Sequence, residues 1–150
     1  MAAQAWRVYN KAIGKIGSGT IDLPGAIRVA LVTSASNFAT NTISLFGSIT
    51  SQVTSGNGYS SSGKALASES WATGASAAIW RLDAADPIWT ATGGTIANIK
   101  GAVLFMSGAS AGACHVLARA SLTSTQFTLA SGNTLTLQFN ASGIFTVANA

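Results

Sequence analysis

Asp83 and Asp86, in the stretch DAADPIWT, are the first residues in this chain whose types and spacing could do chemistry. A paired-carboxylate hydrolase holds its two groups about 5 to 9 Å apart across a cleft, and this spacing permits that. Any turn permits it too. Aspartate before proline starts turns, because its carboxylate accepts backbone N–H bonds and proline restricts the next φ. Only Asp22 and Glu69 remain as other acids, too few to push two carboxylate pKa values apart as acid and base roles require. The stretch reads as a turn feeding a strand at Ile88–Thr90, with Trp89 as a large core or interface residue.

The other chemical candidates are weaker. Gly58-Tyr-Ser-Ser-Ser-Gly63-Lys64-Ala65 has the glycine and lysine spacing of a phosphate-cradling loop, but Ala65 stands where a Mg²⁺-binding hydroxyl belongs. Such a loop leads into a helix whose N-terminus helps hold the phosphates, whereas ALASESW alternates like a strand; a glycine-rich loop is expected. Nucleophilic catalysis needs a base beside a Ser or Cys. His115, the single histidine, adjoins Cys114, the single cysteine, and neighbours in a strand point to opposite faces. One His, one Cys and four carboxylates offer no zinc-type ligand spacing. Asn140-Ala-Ser142 has the form of a glycosylation acceptor but is read as the turn before Gly143. No catalytic, cofactor-binding or metal-binding residue is assigned.

These residues sit in a chain whose surface chemistry is itself informative. Charged residues make up 8% of the 150, against about 25% in an ordinary globular protein, so the surface is largely Ser, Thr, Asn, Gly and Ala. Such a coat suits a protein packed against others. The net charge is +4, yet the cations are scattered and only Arg7, Lys11 and Lys15 fall close together; phosphate binding rewards clustering, so no direct nucleic-acid partner is expected. No run reaches membrane-spanning length and MAAQAWRVYNKAIGKIG lacks an apolar signal core, so a cytosolic product with no membrane partner is expected.

The elements that position these residues are mostly strands. Trp6, Tyr9, Ile13 and Ile16 recur at helical spacing, with Gly17-Ser18-Gly19 ending the run, which predicts a helical arm over residues 1–18. A second short helix is possible around Ile43, Phe46, Ile49 and Val53. Strands are expected at 26–33, 64–71, 77–82, 88–90, 99–106, 115–122, 126–130, 134–140 and 144–147, separated by Gly-rich turns. Along Thr134–Phe139, the residues Leu135, Leu137 and Phe139 face one way. With no βαβ alternation, the reading is a mainly β fold: one antiparallel β-sandwich or jelly-roll-like domain over residues 1–150, its sandwich spanning 20–150.

Four stretches, IDLPGAIRVALVTS, ITSQVTSGNGYSSSG, DAADPIWTATGGTIANIKGAVLF and GNTLTLQFNASGIFTV, resemble in that order small virion proteins of tailed bacteriophages, over residues 4 to 147. The resemblance implies a non-enzymatic structural protein, a head decoration or cement protein with a jelly-roll-like sandwich. Its implied partners are the major capsid protein and itself, as a homodimer or homotrimer. Its implied place is the capsid exterior, after synthesis in the bacterial host cytoplasm. Relatives are often acid-rich between the first strand and the Gly-Tyr turn; here Ser34 to Gln52 carries no charge, so an apolar and hydroxyl-rich contact is expected. Trp6, Tyr9, Ile13, Ile43, Leu45 and Phe46 are the candidate interface residues. The rivals are a tail or neck component, and a carbohydrate-binding module using Trp71, Trp80 or Trp89 as stacking platforms.

Overall fold

The run GAVLFM is apolar without alternation, the mark of a strand buried on both faces, and it forms the centre of the fold. In the computed structural model, which describes residues 5–108 and 113–148, it is β8 (Gly101–Met106). It lies between β2 (Ile27–Val32) and β9 (Val116–Ser121), with β1 (Arg7–Val8) beyond β9 and β3 (Lys64–Ala65) beyond β2. Ile27 through Val32 pair residue for residue with Met106 back to Gly101. Gly101 is required where it stands: a Cβ there would lie 2.7 Å from the Phe38 ring, which packs directly on the sheet.

The remaining strands are β4 (Ser70–Thr73), β5 (Ile79–Asp83), β6 (Ile88–Thr90), β7 (Ile96–Ile99), β10 (Phe127–Leu129), β11 (Thr134–Thr136) and β12 (Phe145–Ala148). Their pairings nest around the β8–β9 hairpin: β7 with β10, β6 with β11, β5 with β12. β4 then adds to the outer side of β5. Both arms of this long hairpin break at the same level. Lys100 separates β7 from β8, Asn98 just before it has a φ of 62°, and the Lys100 ammonium donates to Thr123 O and Ser124 O in the opposite arm. Breaking a twisted ladder lets it wrap around a core instead of running on as a ribbon. Every named pairing is antiparallel, and the buried apolar side chains form a single cluster. The protein is thus a mainly β single domain with one helix.

The N-terminal part departs from expectation. Residues 1–4 lie outside the described residues. Arg7–Val8 pairs with β9, and the helix, α1 (Asn10–Gly17), starts only afterwards. The predicted stripe of Trp6, Tyr9, Ile13 and Ile16 is therefore not a helical face. Instead Tyr9 precedes the helix and is fully buried, Ala12 and Ile16 follow it inward, and Ile13 is 54% exposed. The segment is docked on the sheet and is not a free arm, because the Tyr9 N–H donates to Leu117 O and its hydroxyl donates to Phe38 O at 2.7 Å. The second helix is reduced to a 3-10 turn at Phe46–Ser48. Its apolar residues are spent separately: Ile43, Ile49 and Val53 each enter the core, while the backbone follows sheet edges, with Val116 N–H donating to Ser44 O and Val53 N–H to Leu31 O.

Candidate interaction surface

The phosphate-loop look-alike is a loop that closes a sheet edge. Tyr59 is buried; its hydroxyl accepts the Leu31 N–H at 2.8 Å and donates to Leu31 O at 3.3 Å, where β2 has run past the end of β3. Burial pushes the Tyr59 pKa up to about 12, the backbone bond at Leu31 opposing it. Gly58 has a φ of +89°, and a Cβ there would lie 2.2 Å from Thr90 O, so only glycine fits. Lys64 opens a strand, not a helix, and its ammonium donates to Ile88 O at 2.6 Å. The loop lines a cavity of about 280 Å³ with Arg28 and Trp89, but it lacks the helix terminus that would hold a phosphate.

The other chemical candidates are likewise engaged by backbone. Asp83 Oδ1 accepts the Ala84 N–H at 3.0 Å. The expected turn is absent, since residues 84–87 link β5 to β6 without one, and Asp86 Oδ1 instead accepts the Phe139 N–H at 2.8 Å, tying the β5–β6 connection to the chain after β11. His115 forms a bridge with Leu45, and its Nδ1 is buried with no hydrogen-bond partner among the described residues. Among the described residues no group of three or more His, Cys, Asp or Glu is placed to hold a metal, and no helix is long and apolar enough to cross a membrane.

Five of the eight cations donate to acceptors of their own chain. Arg28 bonds Ser62 O and Gly63 O, and Arg81 bonds Ala141 O. Lys64 and Lys100 hold the carbonyls already named. Arg119 donates to Asn41 Oδ1 at 2.6 Å and lies 5.8 Å over the Tyr9 ring. Burial raises the Tyr9 pKa and Arg119 lowers it in part. These five charges clamp loops rather than gather into a patch; Arg7, Lys11 and Lys15, near the N-terminal helix, are not among them.

The six candidate interface residues are dispersed. Tyr9 and Ile43 are core residues and are withdrawn as contacts. Leu45 and Phe46 are half-buried along β9, Phe46 stacked on Phe105 with ring centroids 3.8 Å apart. Trp6 is half-buried beside a cavity of about 460 Å³ lined also by Gln138, Asn140 and Phe145; its indole N–H is buried without a partner among the described residues. Only Ile13 stands on the surface. A charge-poor chain still has to build a core, and Tyr9 and Ile43 lie within it while Trp6 and Phe46 pack against it.

The large apolar side chains that are exposed lie elsewhere, Trp80, 43% exposed, on β5 and Ile88, 49% exposed, on β6, besides Ile13 on α1. Trp80 belongs to the sheet β4–β5–β12. Its register places Trp71, Thr73, Trp80, Leu82, Phe145 and Val147 on one face. Leu82 and Phe145 are buried at one end of that face, and it opens to solvent at Thr73 and Trp80. Trp71 stacks against Trp80 at 6.0 Å and leans on Phe145 at 6.2 Å. This is an apolar face with one hydroxyl on it, short of the polar groups that orient a sugar. Trp89 is 3% exposed and is no platform. Trp80 has Thr73 and Val147 as its cross-strand neighbours, a placement that only the strand pairing reveals. Comparison with protein-family models, with curated proteins and with solved structures finds no match for this chain.

Proposed function

We propose that this protein is a non-enzymatic structural component of a tailed-bacteriophage virion, a head decoration protein that binds the assembled capsid lattice from outside. The observation that carries the proposal is the exposure of large apolar side chains on a charge-poor protein, five of whose eight cations are engaged within the chain. Such a surface suits burial against protein more than binding of phosphate or substrate. The sequence resemblance over residues 4 to 147 supports it independently. So does the nested hairpin from β5 to β12, which is the winding that a jelly roll requires. Asp83 and Asp86 spend their carboxylates on backbone N–H groups, which supports a structural use. The contact with the capsid protein is assigned to Ile13, Trp80 and Ile88 in place of the buried Tyr9 and Ile43.

A decoration protein stabilises a shell by linkage, adding RT ln(1 + [L]/Kd) per site, about 3 kcal/mol at a hundredfold excess over Kd. The test is to titrate purified protein onto undecorated heads at low and high ionic strength and then heat them. Saturable binding that weakens little with salt, and a higher rupture temperature, are expected. Heads that bind none, or rupture at the same temperature, would transfer the protein to the tail or neck, where its copy number per virion would be far lower.

A further inference from the structure

The sheet β4–β5–β12 ends in an edge that nothing in the described chain covers. We infer that β4 (Ser70–Thr73) is a self-pairing edge, joining a second copy of this chain strand to strand about a two-fold axis. The parity of the ladder supplies the donors and acceptors. Gly74 N–H donates to Ile79 O on the inner side of β4, and Ile144 N–H donates to Leu82 O on the far side of β5. Alternation then turns the N–H and C=O of Ser70 and Ala72 toward β5, and those of Trp71 and Thr73 outward. Two outward-facing residues separated by one are self-complementary. With Ala72 on the axis, Trp71 faces the partner's Thr73 and Thr73 faces the partner's Trp71, each pair exchanging both bonds.

The edge also lacks what natural edges use to prevent such pairing. From Ser70 to Trp80 there is no charge, no proline and no bulge. The other edges of the two larger sheets are short or guarded. β3 has two residues, one of them Lys64; β1 is followed along β9 by residues 44–46; Ala5 and Trp6 lie beside β12 around a shared cavity. The hairpin tip GASAA carries no side chain large enough to keep a neighbour away. Pairing would also extend the half-covered aromatic face, since a two-fold perpendicular to the sheet puts both copies of Trp71 and Trp80 on the same side. Electrostatics does not oppose it, because no like charges meet across the axis.

The pairing does not rest on the virion reading and is tested on the purified 150-residue chain. Sedimentation across the micromolar range should show a species of twice the 15.1 kDa chain mass. Thr73→Pro removes an N–H that points away from β5, so it should yield a monomer with wild-type melting and near-ultraviolet circular dichroism. Thr73→Lys, which adds an edge charge and keeps the backbone donor, should weaken the dimer at least tenfold and serves if the proline variant does not fold. Hydrogen exchange adds a direct readout: the Trp71 and Thr73 amides should gain protection as concentration rises. A wild-type chain that stays monomeric throughout, or variants that dimerise like wild type, would overturn the inference. A dimer that fails to bind heads would leave it intact and reject the decoration reading instead.

Discussion

Tyr59→Phe removes one oxygen from a buried ring and leaves the packing of that ring in place. The Leu31 carbonyl keeps a partner, because Val53 N–H donates to it at 3.0 Å. The Leu31 N–H does not: its bond to the Tyr59 hydroxyl, 2.8 Å long, is the one it makes on the side of β2 that faces away from β8. The variant therefore buries an unsatisfied amide in the second strand of the central sheet. That costs about 1–3 kcal/mol, which at about 2–4 °C per kcal/mol for a chain of this size lowers Tm by about 4–8 °C for a mid-range loss. Tyr9→Phe supplies the contrast. Its hydroxyl donates to Phe38 O, and a carbonyl left with one bond fewer is tolerated better than an orphaned N–H, so its loss should be smaller. Calorimetric melting of the two variants, with hydrogen exchange at Leu31, measures both effects. A Tyr59→Phe protein that melts with wild type, or is less affected than Tyr9→Phe, would refute the reasoning.

Alkaline pH should destabilise the protein through the same residues. Tyr59 is raised from 10.0 to about 12 and Tyr9 is raised as well, so above pH ~10 the unfolded chain releases protons that the native one retains. Stability is then level below that pH and falls by about 1.4 kcal/mol per pH unit per tyrosine up to about 12. Urea midpoints at successive pH values test this, and phenolate absorbance appearing at the ordinary tyrosine pH in the folded protein would contradict it. Lys100→Met should cost about 2 kcal/mol by releasing the Thr123 and Ser124 carbonyls. Thermal melts at low and high ionic strength should show that cost at both, since the lysine serves carbonyls and not an acid; an effect confined to low salt would be evidence for a hidden ion pair.

Much of this architecture is legible in the sequence because its causes are local. GAVLFM and AIRVALV are strands by pattern alone, glycine-rich stretches separate the strands, and Ile88–Thr90 appears at its expected bounds, whereas of the strand expected over 134–140 only Thr134–Thr136 forms. The absence of βαβ alternation already implied antiparallel pairing. What the sequence could not decide was which apolar residues the core would take. Tyr9 and Ile13 look equivalent in a helical repeat, yet one is fully buried and the other largely exposed, because the helix begins after Tyr9 and β9 captures the backbone before it. Ile43 looks like part of a contact surface until the sheet beneath it exists. Trp80 and Trp89 look alike in the sequence, yet one is exposed and the other buried, and that depends on strand pairings between residues far apart in the chain. Periodicity and turn chemistry act over a few residues and so can be read directly. Burial is a competition among all apolar side chains for one interior, and it is settled only when the strands have closed around it.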